Sequence, residues 1–145
     1  MNQAQHTAPD GVDLKKFFAE IRTVAVVGYS DNPERAGHYV AHYLADQGYE
    51  VLAINPKFGN EVNSLQCFAN LEAVPKGTQV DVVVIFRAPP FVPELFRNAA
   101  QMNPKPRYFV MQPGAESEEA AELARNEGVT PLMICMKAAH GIWAE

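Results

Sequence analysis

Three basic side chains, Arg35, Lys57 and Arg87, each follow an apolar run in the sequence. Glycine, serine, asparagine and proline accompany them, in the segments "GYSDNPERAG", "NPKFG" and "RAPPF". Guanidinium and ammonium groups beside free backbone N–H groups bind phosphate, because both supply positive charge and hydrogen-bond donors. If the apolar runs are parallel strands, their carboxyl ends meet at one edge of a sheet. The pattern therefore predicts a site for a phosphorylated ligand.

The first segment carries only part of the G-x-G-x-x-G pattern of dinucleotide-binding loops. Gly28 is present, but Ser30 occupies the second glycine position and Gly37 lies too far along the chain. Gly28 would still let a phosphate approach the N-terminus of the next helix. Ser30 would add a hydroxyl donor there, and Arg35 a charge in the first turn. A tight strand-to-helix turn without a ligand is the alternative interpretation of Gly28.

The second segment differs from an NAD site in its charge. An acidic residue about 20 residues beyond the glycines would bind the ribose of NAD. Here Asn55, Pro56 and Lys57 follow the apolar run, and no carboxylate comes before Glu61. A lysine at this position would attract a phosphate carried on the ribose, which favours coenzyme A (CoA) or NADP over NAD. A solvated surface lysine is the alternative interpretation.

The third segment combines a cation with a rigid backbone. Phe86 and Arg87 are followed by Pro89 and Pro90, which have no backbone N–H and fix an extended chain. Such an apolar edge suits the flat face of an adenine or a pantetheine arm better than a phosphate.

The elements that must position these segments follow from hydrophobic periodicity. Apolar, β-branched runs predict five strands, at "TVAVVG", "YEVLAIN", "VDVVVIF", "RYFVMQ" and "VTPLMIC". Helical spacing predicts helices at "VDLKKFFAEI", from Asn32-Pro33 to Gly48, at "FVPELFRNAAQM" and at "SEEAAELARNEG". Asp13 or Asp10 would cap the first helix and Ser117 the last, which Gly128 would end. The region 57–75 is expected to be irregular, with a short helical turn at 70–73.

Alternating strands and helices predict an α/β fold, a single Rossmann-type domain. Its open, mostly parallel five-stranded sheet would carry helices on both faces. The predicted domain spans 13–145, after a flexible segment at 1–12.

Charge and composition exclude several classes of protein. The net charge of −5 argues against a nucleic-acid binder, which needs a basic face. No apolar stretch reaches the roughly 20 residues of a membrane span, and the first residues lack the apolar core of a signal peptide. Cys67 and Cys135 are not spaced as zinc ligands, which indicates free thiols in a reducing compartment. We therefore expect a cytoplasmic protein that binds neither nucleic acid nor membrane.

Five segments together resemble the small CoA-binding domain proteins: "VVGYSDNPERAG", "YEVLAINPKFGNEV", "VVIFRAPPFVPEL", "MQPGAESEEAAELARNEG" and "CMKAAHG". These proteins look like the N-terminal CoA-binding domain of the succinyl-CoA synthetase α subunit standing alone. The likeness runs from about residue 14 to about 140. Two departures are Gly37, where the family usually has serine, and the absence of the Asp-Arg pair that commonly precedes the cysteine.

The resemblance implies a coenzyme A site along the carboxyl ends of the strands. Phosphate would be held by the first loop, at Gly28, Tyr29, Ser30 and Arg35. The nucleotide portion would meet Asn55, Pro56 and Lys57, with Lys57 near the 3′-phosphate. Adenine and ribose would be lined by Phe86, Arg87, Pro89 and Pro90, and the pantetheine path flanked by Gln112, Gly114 and Ala115.

No set of residues indicates catalysis. His38 and His42 lie one helical turn apart without an evident third metal ligand, and nothing in the spacing pairs Cys135 with His140. The leading hypothesis is a non-catalytic or accessory module that binds coenzyme A or an acyl-CoA. The alternatives are an NADP-dependent oxidoreductase and a protein-interaction module that has lost its ligand. The sequence indicates neither a protein partner nor an acyl group.

Overall fold

The computed structural model describes residues 11–144, so Asp10 and most of the predicted flexible segment lie outside the described residues. Helices and strands alternate along this part of the chain, in the order α1 (Leu14–Glu20), β1 (Thr23–Val27), α2 (Ala36–Asp46), β2 (Glu50–Ile54), β3 (Glu61–Val62), β4 (Leu65–Phe68), β5 (Val82–Ile85), α3 (Val92–Ala100), β6 (Tyr108–Met111), α4 (Glu118–Asn126), β7 (Thr130–Leu132) and α5 (Met136–Trp143). Short 3-10 turns lie at Leu71–Ala73, as expected, and at Pro89–Phe91.

All seven strands form one sheet, in the order β3-β4-β2-β1-β5-β6-β7. Neighbouring strands are parallel, except that β3 and β4 are antiparallel. Each of the five predicted strands is present, but five was the wrong number for the sheet. The two additional strands, β3 and β4, lie inside the region 57–75 that we expected to be irregular.

The missed strands are short and half polar. In β4, buried Leu65 and Cys67 alternate with an exposed glutamine and a half-buried phenylalanine, so there is no continuous apolar run to detect. The turn between β3 and β4 holds Asn63 at φ 49° and Ser64 at φ 69°. Positive φ at both central positions is the requirement of a type I′ hairpin turn, for which the usual sequence signal is Asn-Gly rather than Asn-Ser.

Two hydrophobic cores cover the two faces of the sheet, as predicted. Val24 and Val26 of β1 pack on one face with residues of α1, α2 and α5. Ala25 and Val27 of the same strand pack on the other face with residues of α3 and α4. Because successive side chains of a strand point to opposite faces, a strand that is apolar throughout must be covered on both sides.

Helix ends agree with the sequence in most places. Asp13 caps α1 through a bond from the Lys16 N–H, and Ser117 caps α4 through a bond from the Ala120 N–H. Gly48 and Gly128 follow α2 and α4 with positive φ, as helix-ending glycines do.

The start of α2 and the presence of α5 were not predicted correctly. Asn32 accepts a hydrogen bond from the Glu34 N–H in a turn of its own, and α2 begins only at Ala36. Arg35 is therefore the residue before the helix rather than part of its first turn. The eight residues of α5 follow directly on the last strand segment, and we had assigned them no element.

At the amino edge of the sheet, the charged groups are satisfied within the protein. Asp81 is buried and accepts hydrogen bonds from the N–H groups of Arg22 and Thr23, at 2.8 and 3.0 Å. The Arg107 guanidinium lies 3.8 Å from Asp81 and 3.7 Å from Glu20. This edge is a structural seam between β1, β5 and the neighbouring loops.

Candidate functional site

The carboxyl edge of the sheet contains the point where the direction of chain connection reverses. From β1 the chain moves to β2 on one side and later returns to β5 on the other side of β1. The Gly28 N–H bonds the Ile54 carbonyl and the Phe86 N–H bonds the Val27 carbonyl, so the loops after the three strands are tied together. Ligands of open α/β sheets bind in the crevice at such a point.

Two glycines allow the loop after β1 to sit close to its neighbours. A Cβ on Gly28, whose φ is +88°, would lie 2.6 Å from the Phe86 carbonyl oxygen. A Cβ on Gly37, at the start of α2, would lie 2.6 Å from the Gly28 carbonyl oxygen. By sequence spacing, Gly37 lies too far along the chain for the dinucleotide pattern. The structure brings it against Gly28, because the turn at Asn32 adds residues before the helix.

Two cavities open along this edge. The first, of about 570 Å³, is called the apolar cavity. Its apolar lining residues are Val27, Ile54, Phe58, Leu71, Phe86 and Leu95. The second, of about 600 Å³, is called the polar cavity and extends past Arg35 and Gly37 to Gln112 and Ala115. Both volumes are in the usual range of ligand pockets, about 300–1,000 Å³.

The two cavities share a rim, formed by Gly28, Ser30, Asp31, Lys57, Phe86 and Arg87. A ligand could therefore lie in both cavities and cross the rim between them.

The basic side chains of the site are exposed and available. Within residues 11–144, Arg35, Lys57 and Arg87 make no ion pair. The Lys57 ammonium lies 5.8 Å from the centre of the Phe58 ring, and the Arg87 guanidinium 4.6 Å from that of Phe91. These ring contacts orient the cations without neutralising them. Asp31 supplies the opposing charge at the rim.

Asn55 holds the loops of the site together. Its side-chain amide donates to the Tyr29 carbonyl at 2.8 Å, and its side-chain oxygen accepts from the Lys57 N–H at 2.8 Å. Both ends of the carboxamide are thus used within the protein. Asn55 lines the apolar cavity, but its side chain positions Lys57 and the loop after β1.

Tyr29 lies in the rim loop, but its ring is buried in the core. Its hydroxyl donates to Asn63 Oδ1 at 2.8 Å and lies 2.6 Å from His42 Nε2, which must therefore donate to it. His38 stacks on His42 and places Nδ1 2.9 Å from the Ser30 carbonyl, to which it donates. Burial, with Asp31 and Cys67 nearby, raises the pKa of Tyr29 to about 12. The phenol is a neutral structural group, so this residue offers a ligand its backbone rather than its side chain.

Gln112 forms the far wall of the polar cavity. It is 3% exposed, and its side-chain oxygen accepts from the Met136 N–H at 3.0 Å, which fixes the start of α5. The next residues turn sharply at Gly114, whose φ is +94° and whose N–H donates to the Glu116 carboxylate at 2.8 Å.

Of the residues predicted for the site, Pro89 and Pro90 line neither cavity. They form the exposed 3-10 turn before α3 and lie outside both cavities. Their predicted contact with adenine stays a prediction, and their position does not support it. The others all line one cavity or both: Gly28, Tyr29, Ser30, Arg35, Asn55, Pro56, Lys57, Phe86, Arg87, Gln112, Gly114 and Ala115. Their role in binding stays a prediction.

One wall of the apolar cavity was not predicted from the sequence. This wall comes from the segment before β5 and from one flank of α3, at Ala69, Asn70, Leu71, Leu95 and Asn98. Leu95 and Asn98 are three positions apart on a helix, which puts them on one side. That spacing was visible in the sequence, but nothing in it showed which loop the flank would face.

A family model described as CoA binding domain matches residues 22–141. The chain belongs to this family of CoA-binding domains. The resemblance inferred from the five sequence segments is thereby confirmed.

Relatives of this CoA-binding domain cover nearly all of it. The uncharacterised protein YneT of Bacillus subtilis (strain 168) is 28% identical over 135 residues, which are 92% of this chain and 96% of YneT. The solved structure of a hypothetical protein from Pyrococcus horikoshii OT3 has a TM-score of 0.86 and 26% identity, with 100% of both chains covered.

A larger protein contains a similar domain. The apo form of the dinucleotide-forming acetyl-coenzyme A synthetase 1 of Ca. Korarchaeum cryptofilum has a TM-score of 0.66 and 26% identity. The match covers 91% of this CoA-binding domain and 31% of the synthetase chain.

The described residues contain neither a membrane-spanning helix nor a cluster of metal ligands. Their helices are all too short or too polar to cross a bilayer. Within residues 11–144, His, Cys, Asp and Glu side chains do not gather in threes as metal ligands would.

Proposed function

We propose that this protein binds coenzyme A or an acyl-CoA along the carboxyl edge of its sheet, as an accessory module without chemistry of its own. The observation that carries the proposal is the shared rim. Unpaired Lys57 and Arg87 and the close-packed Gly28 loop lie between an apolar and a polar cavity. Coenzyme A has the same sequence of parts: an aromatic base, a cluster of phosphates, and a long polar arm.

The two cavities and the rim match these three parts of coenzyme A in one orientation of the ligand. The base would enter the apolar cavity between Ile54, Phe58 and Phe86, where flat apolar surface is available. The phosphates would lie at the rim, within reach of Lys57 and Arg87, where charge-assisted hydrogen bonds are strongest. The pantetheine arm would follow the polar cavity toward Gln112 and leave the thiol at the ends of β6 and β7.

The accessory role is supported by the size of the matching region. The related domain makes up 31% of the acetyl-coenzyme A synthetase chain that this protein resembles. A module that corresponds to one domain of a synthetase would hold the cofactor while other domains or other polypeptides perform the reaction.

Titration calorimetry with coenzyme A and with dephospho-CoA tests the proposal. We expect coenzyme A to bind and dephospho-CoA to bind more weakly, because it lacks the 3′-phosphate assigned to Lys57. Lys57→Ala should weaken binding of coenzyme A by about 1–3 kcal/mol and have little effect on dephospho-CoA. Lys15→Ala is the matched control, because Lys15 is exposed on α1 and lines neither cavity.

Titration with NADP, whose ribose also carries a phosphate, separates the two nucleotide classes. Tighter binding of NADP than of coenzyme A would contradict the proposal. Equal affinities for coenzyme A and dephospho-CoA would contradict the assignment of the 3′-phosphate to Lys57.

A further inference from the structure

The apolar cavity contains three asparagines, and two of them are already committed within the protein. Asn55 uses its amide on Tyr29 and its side-chain oxygen on the Lys57 N–H. Asn70 uses its side-chain oxygen on the Ala73 N–H, where it caps the 3-10 turn. Both side chains hold loops in place, so neither can offer a complete donor–acceptor pair to a ligand.

Asn98 is different. The described part of the chain gives its carboxamide no hydrogen-bond partner, although the side chain is half-buried and lines the apolar cavity. A half-buried amide at an open cavity is hydrated, and a ligand that displaces this water must offer its own donor and acceptor, because leaving a desolvated polar group unpaired costs free energy. Leu71 and Leu95, its neighbours in the apolar cavity, cannot supply one, and Asn98 also borders a smaller cavity on the other side of Leu71.

The helix fixes the position of Asn98 beside the apolar cavity. The buried face of α3 is formed by Val92, Phe96 and Ala99, which hold the helix against the sheet. Leu95 and Asn98 lie on the flank beside that face and border the cavity with one apolar and one polar side chain. The packed helix fixes the backbone of Asn98 at the cavity wall, and its carboxamide is free to rotate onto a bound base.

We propose that Asn98 selects adenine as the base bound in the apolar cavity. A carboxamide presents one donor and one acceptor side by side, and adenine presents the complementary pair, its 6-amino group and an adjacent ring nitrogen. The inference rests on the proposed function, because it concerns the base of the coenzyme A assigned to the site. It adds a specificity-determining residue that lies on a different element from the three strand-end loops.

The test compares coenzyme A with its 1,N6-etheno derivative, in which the 6-amino group and the adjacent ring nitrogen are blocked. The wild-type protein should bind coenzyme A more tightly than the etheno derivative, by about tenfold or more for a two-bond contact. Asn98→Ala should lose about tenfold in affinity for coenzyme A and nothing for the etheno derivative, so that the ratio approaches one. Asn126→Ala is the matched control, since Asn126 is an exposed asparagine at the end of α4 and borders neither cavity.

The outcomes separate this inference from the proposed function. A wild-type preference that persists in Asn98→Ala would mean that the cavity rejects the etheno ring by shape alone, and would overturn the role of Asn98 while coenzyme A binding stands. Failure of the wild-type protein to bind coenzyme A at all would overturn both. The melting temperature of Asn98→Ala should match that of the wild type, because the side chain has no partner to lose; a large drop would indicate a structural role instead.

Discussion

The two edges of the sheet treat charge in opposite ways. At the amino edge, Asp81 accepts from two backbone N–H groups and lies near Arg107, which also approaches Glu20. At the carboxyl edge the backbone groups are paired between strands, but in the described structure Lys57 and Arg87 have no acidic partner.

The difference shows which edge is built for folding and which for a ligand. A buried carboxylate that is fully hydrogen-bonded stabilises the fold, since removing it would leave buried donors unpaired. An exposed cation without a partner contributes little to stability. Its charge is available to an anion, and at the carboxyl edge two cavities lie next to it.

The largest expected effect would come from the amino edge. Asp81→Ala should lower the free energy of unfolding by about 3 kcal/mol, because the N–H groups of Arg22 and Thr23 lose their acceptor. Denaturant unfolding would measure this. Asp81→Asn keeps one side-chain oxygen as an acceptor and should lose clearly less.

Coenzyme A affinity is the second measurement on Asp81→Ala. Under conditions where the variant is folded, the affinity should equal that of the wild type. A variant that is stable but binds poorly would show that the two edges are coupled, and would break the comparison.

A smaller effect is expected where the carboxyl edge depends on close packing. Gly37→Ala would place a Cβ 2.6 Å from the Gly28 carbonyl oxygen, so the helix or the rim loop must move. Overpacking of this kind costs about 1–3 kcal/mol, and here the displaced loop carries the proposed phosphate site. We therefore expect both stability and coenzyme A affinity to fall.

Gly59→Ala is the control for that variant. Gly59 lies in the loop after Lys57, and a Cβ there would meet no atom within 4 Å. The substitution should leave stability and affinity unchanged. If Gly37→Ala behaved in the same way, the close approach of α2 to the rim would be less rigid than the packing indicates.

The sequence predicted the parts of the fold that depend on continuous burial. Strands β1 and β5 are buried along their whole length and apolar apart from Thr23, because both faces of the sheet are covered, and this pattern needs no knowledge of their neighbours. The hairpin of β3 and β4 was missed because its pairing depends on a turn with Asn63 and Ser64 at positive φ. The helix α5 was missed too. Its start is held by a tertiary contact, in which the Met136 N–H donates to the distant Gln112 side-chain oxygen.

The candidate site was predictable to the extent that it follows strand ends. Lys57 and Arg87 lie at the cavity rim because the carboxyl ends of parallel strands converge in any such sheet. The wall that contains Leu95 and Asn98 depends on how α3 packs across the sheet, which a single sequence does not specify. The buried contacts of Tyr29 depend in the same way on the hairpin that brings Asn63 to its hydroxyl.

The smallest expected effect is a decrease in stability at low pH, caused by half-buried histidines, one of which lies behind the rim loop. Burial, and the neighbouring His38, lower the pKa of His42 below its usual 6.5, with Asp46 acting in the opposite direction. The folded protein therefore binds fewer protons at His42 than the unfolded chain does once the pH falls below about 6.5, and stability should decrease over that range. Burial also lowers the pKa of His140, so a part of the decrease comes from a site beside Tyr43, away from the rim.

His42→Asn separates the two contributions. Asparagine cannot titrate but can donate to the Tyr29 hydroxyl, so the variant should keep the neutral hydrogen bond and lose part of the pH dependence. Unfolding free energies measured across this pH range for the wild type, His42→Asn and His140→Asn would show how much of the pH dependence comes from each histidine. Because His42 stacks on His38, which donates to the Ser30 carbonyl, a proton gained by His42 would also disturb the rim loop. As the pH falls, coenzyme A affinity should therefore decline in the wild type and in His140→Asn, but less in His42→Asn. An identical decline in all three proteins would mean that protonation of His42 affects the core and not the rim loop.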